Sequence, residues 1–467
     1  MHTLDYSYVS LVEIAGKLRS REISPVELTE LMLGRIDQFN PRLNCFLHVT
    51  RELALKQAAQ AQREIGEGRL RGPLHGVPVA VKDLCFTRGI PTTGGMSFRK
   101  DFRPARDATV VQRLRDAGAV LLGKLHLTEG ACIEHHRAFG NPVNPWRADL
   151  WTGASSSGSG VAVAAGLCFA AIGSDTGGSI RFPSSQQGLT GLKPTWGRVS
   201  RHGIFDLAPS YDTLGPMARS AADVAATMGV IAGSDPLDPT ALPDSVPDYL
   251  ANLGTIASAR GVRIGIDRSY NNEGADERII SLLEDAVRIF ASLGARIEPV
   301  IFPDPKPMME HMSDVHMAEL AAVHAETYPA MADDYGRWIT KGLESGRRMS
   351  PQKYASTSIE KDRFAGRLRQ IFNDIDVLIM PVFSFASPTW VEFEHMVETD
   401  ISRLFRFTIP FNASGSPTIT FPAGFTEEKR PAGIQLVGPH LSEPRLLNLV
   451  HVFQTATDWH LATKSLT

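Results

Sequence analysis

The sequence predicts an α/β fold in which α-helices cover both faces of a large mixed β-sheet. From Gly72 onwards short apolar segments alternate with helical ones, and this repetition is typical of strand–helix–strand units with right-handed crossovers. Two of the apolar segments, Val77–Val81 and Cys168–Gly173, are followed directly by polar residues. Because functional sites form beyond the carboxyl ends of such strands, we expect Lys82 and the turn at 175–179 to lie at comparable positions.

Residues 1–70 are predicted to be helical and to cover one face of the core. Ser24-Pro25-Val26-Glu27 has the pattern of a capping box with proline at the first helical position. This helix should run to about Gln38 and stop before Asn40-Pro41. A second helix should follow from Arg51 to Ile65, where glycines end it.

Between residues 72 and 220 the elements are short. Val77–Val81 is predicted to be a buried strand, and Asp107–Ala117 a helix with Asp107 as its N-cap. Ala119–Leu122 should form the next strand and Ser159–Gly166 a short helix, before the strand at Cys168–Gly173.

Residues 221–467 are predicted to form a second half with a variable substrate pocket. Asp235–Asp248 should be a surface loop, Val262–Ile266 a strand and Ala275–Leu293 a helix. Residues 305–370 have a helical, amphipathic pattern with four grouped methionines, which either fill the core or line an adaptable pocket: Met308, Met309, Met312 and Met317. No linker divides the chain, so 1–467 is predicted to be one domain.

Composition excludes several classes of protein. Hydrophobic residues make up 43% of the 467 residues, enough for a sizeable core, and a net charge of −3 favours neither nucleic acid nor acidic lipid as a partner. No apolar run approaches the ~20 residues of a membrane helix, and Met1–Asp5 lacks the features of a signal peptide. Cys45, Cys85, Cys132 and Cys168 are far apart, which predicts buried free thiols and a cytoplasmic location.

The segment Gly153–Pro183 holds two clusters of serine and glycine around one apolar run. Serines on glycine-rich backbone provide what acyl transfer needs, a nucleophile and N–H donors for an oxyanion. A flexible linker is the alternative for such a composition, but the flanks of both clusters are apolar.

This segment resembles the signature of the amidase signature family. The matching positions are Gly153, Ala154, Ser155, Ser156, Gly158, Asp175, Gly177, Gly178, Ser179, Ile180, Arg181 and Pro183. Four other segments are also similar to the family: Gly76–Asp83, Gly191–Ser200, Ile409–Pro417 and Gly433–Pro439. The resemblance implies α/β/α layers around a large twisted mixed sheet.

The resemblance also implies a catalytic triad. Ser179 would be the nucleophile, Lys82 the base, and Ser155, on a cis peptide bond after Ala154, the proton relay between them. A lysine accepts a proton only when neutral, so its pKa must fall by about three units, which corresponds to about 4 kcal/mol. Burial after the apolar strand Val77–Val81 is suited to produce that fall.

The remaining signature residues are expected to support the triad. Backbone N–H groups of Thr176, Gly177, Gly178 and Ser179 would form the oxyanion hole. Ser156 and Asp175 would hold the relay and the turn by hydrogen bonds. Arg181 is expected to be structural and to pair with Asp175 or a backbone carbonyl. Ser157 stands where many family members have glycine.

Two other interpretations are disfavoured. Asp175-Thr176-Gly177 is the D-T-G of aspartic proteases, but no second such motif supplies the second carboxylate. His126, Glu129, His135 and His136 match no metal-site spacing, so a turn is expected there, with His135, His136 and Arg137 as candidates for the substrate entrance. No phosphate-binding motif occurs, and neither a metal nor a cofactor is predicted.

The family contains two competing functions. A stand-alone hydrolase cleaves the C–N bond of a small-molecule amide, and the same chemistry serves carbamates and ureas. An amidotransferase subunit makes ammonia from glutamine for misacylated tRNA and typically has L-D-E-F-A-M-G-S-S where this chain has Leu127–His136. That difference favours the stand-alone amidase. Family members are often dimers, and the sequence leaves the oligomeric state open.

Overall fold

The computed structural model describes residues 6–254, 258–463 and 466. Its central feature is one eleven-stranded sheet with the spatial order β1-β3-β2-β4-β6-β5-β10-β11-β9-β7-β8. The strands are β1 Phe46–Val49, β2 Pro78–Lys82, β3 Val120–Leu125, β4 Ala170–Asp175, β5 Thr190–Lys193, β6 Thr213–Ala218, β7 Arg263–Ile266, β8 Arg296–Pro299, β9 Val377–Pro381, β10 Thr418–Phe425 and β11 Pro431–Val437.

The sheet is mixed, as the sequence predicts. β2 is parallel to both β3 and β4, whereas β4, β6, β5, β10, β11 and β9 are successively antiparallel. Every residue of β2, β3 and β4 is buried. Successive side chains of a strand point to opposite faces, so both faces of this part of the sheet are covered.

The helices of the described residues pack around this sheet. Their bounds are α1 Leu11–Ser20, α2 Pro25–Leu43, α3 Arg51–Gly66, α4 Thr109–Asp116, α5 Ser157–Ala164, α6 Arg181–Gln187, α7 Ala221–Ile231, α8 Arg268–Asn272, α9 Glu277–Ser292, α10 Lys306–Val323, α11 Arg337–Arg347, α12 Pro351–Ile371, α13 Trp390–Thr399, α14 Ser402–Phe405, α15 Ile409–Ala413 and α16 Glu443–Thr455.

The N-terminal region confirms one prediction and corrects two. The capping box at Ser24 is present, with both of its hydrogen bonds to Glu27. However, α2 continues through Pro41 to Leu43, because Asn40 organises its last turn: its carbonyl accepts from the N–H of Asn44 and its side chain from the N–H of Cys45. The region is also not wholly helical, since β1 pairs antiparallel with β3 at one end of the sheet.

The start of α4 also differs from the prediction. Ala108 is the N-cap, and no side chain caps this helix. Asp107 instead accepts a hydrogen bond from the N–H of Arg88 at 2.7 Å and pairs with Arg115. Its carboxylate is therefore committed to a neighbouring loop and to a later turn of the helix.

The second half contains the predicted helices. Residues 305–370 form α10, α11 and α12, and Asp276 caps α9 by accepting from the N–H of Arg278. Of the grouped methionines, Met308 is in the core while Met309 and Met317 border a large cavity. The side chain of Met312 lies outside the described part of the structure.

The cysteines and the termini complete the comparison with the sequence. All four thiols are free, but only Cys45, Cys85 and Cys168 are buried, and Cys132 borders the cavity. Within the described ranges no helix has both the length and the apolar composition that crossing a membrane requires. Residues 1–5, which carry the signal-peptide prediction, lie outside those ranges.

Candidate active site

The site forms where β2 and β4 end. The two strands are adjacent and parallel, with Val81 paired to Ile172, so their carboxyl ends meet at the same edge of the sheet. β2 ends at Lys82 and β4 ends at Asp175. Both residues therefore lie at comparable positions, as the sequence predicts.

Lys82 is fully buried and surrounded by hydroxyl groups. Its Nζ lies 2.6 Å from Ser155 Oγ, 3.0 Å from Ser156 Oγ and 2.9 Å from Ser174 Oγ. Burial lowers the pKa of Lys82 from 10.5 to about 7, although the charges of Cys85 and Asp175 act in the opposite direction. The lysine is therefore available as a neutral amine near neutral pH.

Ser155 and Ser156 lie in the turn that leads into α5. The peptide bond between Ala154 and Ser155 is cis, as the family resemblance implies. Ser156 donates its hydroxyl to the carbonyl of Ser174 at 3.1 Å, and its backbone N–H donates to the carbonyl of Ser179 at 3.2 Å. The two signature clusters are thus in direct contact, although 24 positions separate Ser155 from Ser179 along the chain.

The carboxylate of Asp175 shapes the turn that presents Ser179. It accepts from the N–H of Gly178 at 2.8 Å and from the N–H of Ile180 at 3.0 Å. Gly178 has a φ of +137°, and a Cβ there would approach the ring of Phe182 to 2.4 Å, so only glycine fits.

This turn corrects the predicted oxyanion hole. The N–H of Gly178 already donates to Asp175, and Gly178 does not border the cavity. Thr176, Gly177 and Ser179 do border it, and their N–H groups donate to no other described residue. These three residues are the remaining candidates for oxyanion donors.

Asp175 and Arg181 form a fully buried ion pair. Arg181 Nη2 lies 2.8 Å from Asp175 Oδ1 and Nε lies 3.0 Å from Oδ2. Burial alone would raise the pKa of Asp175, but the Arg181 charge and the hydrogen bonds outweigh it and hold that pKa below its usual range. The predicted structural role of Arg181 agrees with these contacts, and Asn412 and the carbonyl of Thr408 complete the pair's hydrogen bonds.

A cavity of about 1240 Å³ opens in front of Ser179. Its wall is mainly apolar and comes from both halves of the chain, including Ile133, Phe182, Leu207, Met309, Trp338 and Phe405. Within the described part of the chain the Ser179 hydroxyl has no hydrogen-bond partner and faces this space. The arrangement has room for a molecule much larger than a simple primary amide.

The sequence did not single out Ser174, Asp212 or Asn412. Ser174 precedes the predicted Asp175 and is the third hydroxyl on Lys82. Asp212 accepts from the hydroxyl of Thr176 and from the N–H groups of Leu207 and Ala208, and burial raises its pKa to about 7. Asn412 lies in the family-like segment Ile409–Pro417, which was the only sequence signal for it.

The histidines before the signature do not form the substrate entrance. His135 Nε2 lies 2.7 Å from Ser157 Oγ, behind the signature turn, and His136 contacts Ser97. Neither histidine nor Arg137 borders the cavity. No group of three potential metal-ligating side chains occurs among the described residues, so His126, Glu129 and the two histidines form a turn.

With this geometry in place, the comparisons with known proteins identify the class. A serine hydroxyl beside a neutral buried lysine, in a turn of free N–H groups, defines a hydrolase of the acyl-transfer type. The family model described as Amidase matches residues 27–447, and the chain belongs to the amidase family.

The relatives include both functional types. The AmiD protein of Mycobacterium tuberculosis is 45% identical over 456 residues, covering 97% of this chain and 95% of that protein. The glutamyl-tRNA(Gln) amidotransferase of Geobacter sp. has one subunit that is 36% identical over 480 residues, covering 97% of this chain and 98% of its own.

Solved structures with the same fold include small-molecule hydrolases. Peptide amidase from Stenotrophomonas maltophilia has a TM-score of 0.86 and 31% identity over 97% of this chain and 98% of its own. A 6-aminohexanoate cyclic dimer hydrolase has a TM-score of 0.89 and 27% identity over 98% and 99%. The chain is accordingly a hydrolase that acts on the C–N bonds of amides.

Proposed function

We propose that this amidase works through a serine acyl-enzyme, with Ser179 as nucleophile, Ser155 as proton relay and Lys82 as base. The observation that carries the proposal is the set of contacts around Lys82 Nζ. A neutral lysine has two N–H groups and one lone pair, and three serine oxygens surround this one at 2.6–3.0 Å. Since the Ser156 proton is already donated to the Ser174 carbonyl, its oxygen accepts from the amine.

The remaining contacts assign the lone pair. Ser155 Oγ makes the shortest contact, at 2.6 Å, and donates its proton to the lysine lone pair, while Ser174 Oγ accepts the second N–H. Ser155 is then able to take a proton from Ser179 as it gives up its own. The two hydroxyls are brought into hydrogen-bond contact as substrate binds, since catalytic hydrogen bonds commonly tighten in the complex.

The reaction then proceeds in two acyl-transfer steps. Ser179 Oγ attacks the amide carbonyl carbon while its proton moves through Ser155 to Lys82. The N–H groups of Thr176, Gly177 and Ser179 stabilise the oxyanion. Collapse breaks the C–N bond, and the proton returns through Ser155 to the departing nitrogen. Water hydrolyses the ester at Ser179 by the same proton route and releases the acid.

The proposed substrates are small-molecule amides turned over without a partner protein. Ala131, Cys132 and Ile133, within the segment that differs from the amidotransferase pattern, border the cavity. This placement supports a binding wall adapted to a substrate other than glutamine. Carbamates share the tetrahedral chemistry and belong in the same substrate panel, and cytoplasmic location and dimerisation stay predictions.

A double-mutant cycle tests the triad. Lys82→Ala should reduce kcat/KM by about 10²–10⁴-fold, the usual contribution of a general base. Because the two residues act as a unit, Lys82→Ala/Ser155→Ala should be little worse than Lys82→Ala alone. Ser159→Ala, which removes a buried hydroxyl of α5 bonded to the carbonyl of Ile172, is the matched control and should stay near wild type. Additive losses would exclude the relay.

A further inference from the structure

Most charged and polar side chains on the cavity wall are already paired within the protein. Asp267 accepts from the N–H groups of Tyr270 and Phe302 at 3.0 and 2.7 Å. Arg406 pairs with Glu273 at 2.6 Å. These groups hold the wall together and have little hydrogen-bonding capacity left for a ligand.

Two buried polar side chains on this wall are exceptions. His316 on α10 is 7% exposed and Ser384, just after β9, is 2% exposed. Both border the cavity, and neither His316 Nε2 nor Ser384 Oγ has a hydrogen-bond partner among the described residues. An unpaired buried polar group costs about 1–3 kcal/mol, so two of them in one wall indicate that a ligand supplies the missing partners.

Ser384 is connected to the turn that presents the nucleophile. Its neighbour Phe383 stacks on Phe182 with ring centroids 4.7 Å apart, and Phe182 follows Ser179 by three positions. The Ser384 backbone is held by the N–H of Asp276, which donates to its carbonyl at 2.7 Å. The hydroxyl is therefore held close to the place where a substrate is cleaved.

His316 is connected to the same turn from the other side. Its ring packs edge-on against Tyr211 with centroids 4.3 Å apart, and the next residue, Asp212, accepts from the hydroxyl of Thr176. Burial, with the charge of Lys361, lowers the pKa of His316 to about 3. The imidazole is neutral in use and offers one donor and one acceptor nitrogen.

We propose that His316 and Ser384 bind neutral hydrogen-bonding groups in the non-reacting part of the substrate. The substrate class is then an uncharged amide that carries at least one further amide, carbamoyl or hydroxyl group. A carboxylate or ammonium group at these positions is disfavoured, because neither side chain supplies a counter-charge in this buried wall. The inference rests on the proposed amide hydrolysis at Ser179.

A matched substrate pair tests it. One substrate is an anilide whose acyl chain carries an internal amide, and its analogue has two methylene groups in place of that CO–NH, with the internal group placed at several distances from the scissile bond. Wild type should prefer the best amide-bearing member by at least about tenfold in kcat/KM, since a site built for a polar group rejects the analogue that lacks it.

The variants assign that preference to residues. Ser384→Ala and His316→Phe should each lose about tenfold or more on the amide-bearing substrate and leave the apolar analogue unchanged within about twofold. Ser387→Ala is the control, since that buried hydroxyl in the same segment already donates to the carbonyl of Pro431, and its preference should stay wild type. If His316→Phe fails to fold, Ser384→Ala carries the test.

The contradicting outcomes are distinct. Equal losses on both substrates, or no wild-type preference anywhere in the series, would overturn the role of His316 and Ser384 while amide hydrolysis stands. A wild-type enzyme that hydrolyses no member of the series would overturn the proposed function and this inference with it.

Discussion

Replacing Lys82 by methionine tests whether the buried lysine is neutral in the folded protein. Burial lowers its pKa from 10.5 to about 7, so between these pH values the unfolded chain binds a proton that the folded protein does not. Where the unfolded state binds more protons, the free energy of unfolding rises with pH. The slope is about 1.4 kcal/mol per pH unit and the total about 5 kcal/mol over the interval.

The measurement is a difference between two proteins. Urea unfolding of wild type and Lys82→Met, followed by circular dichroism at several pH values from about 6 to 10, gives two curves of unfolding free energy against pH. Lys193, whose pKa burial also lowers to about 7, is common to both and cancels. We expect wild type to gain on Lys82→Met by about 1.4 kcal/mol per unit above pH ~7, and the difference to be constant below it.

The pH dependence of the difference decides the result. The hydrogen bonds from Lys82 to the three serines are lost at every pH, so they displace the variant's curve without tilting it. Ser159→Ala, which leaves Lys82 in place, should run parallel to wild type. Parallel curves for wild type and Lys82→Met would mean that Lys82 stays protonated in the fold, and the proposed base would then be wrong.

Three further predictions concern the surroundings of the site. Arg181→Met should destabilise the protein by about 3–5 kcal/mol in urea unfolding, because it leaves the buried Asp175 carboxylate unpaired; a loss below about 1 kcal/mol would contradict the buried pair. Glu129, whose pKa burial raises to about 7 and which accepts from the N–H of Gly336, should act with the opposite sign to Lys82: relative to Glu129→Gln, wild type should lose about 3 kcal/mol between pH ~4.5 and ~7 and no more above, and a flat difference between pH 5 and 8 would refute this. The sequence predicts no metal, so activity should survive exhaustive EDTA treatment, and activity lost to EDTA and restored by zinc or manganese would contradict that prediction.

The sequence predicted those parts of the site that depend on contiguous motifs. Lys82, Ser155 and Asp175 lie at the ends of elements that local apolar patterning marks, and parallel pairing of β2 with β4 brings those ends together. The fall in the pKa of Lys82 also follows from its position after a buried strand. These features need only strand order and burial, which the sequence pattern carries.

Features that depend on distant contacts were not predictable. Asn412 bonds to Asp175 across 237 positions, and no local pattern gives it a role. Asp107 has the residue type of an N-cap, yet a contact with Arg88 in another loop takes its carboxylate away from the helix. Likewise, whether a signature N–H is free for an oxyanion depends on where Asp175 points, which removed Gly178 from the predicted set.

Covalent trapping tests the central claim, that Ser179 is the acylated nucleophile, most directly. The enzyme is treated with a fluorophosphonate, which phosphonylates an activated serine with loss of fluoride, and the adduct is located by peptide mass spectrometry. We predict a single adduct on Ser179, its absence in Ser179→Ala, and labelling slowed by about 10²-fold or more in Lys82→Ala. An adduct on Ser155 or Ser156, or undiminished labelling of Ser179→Ala, would contradict the mechanism.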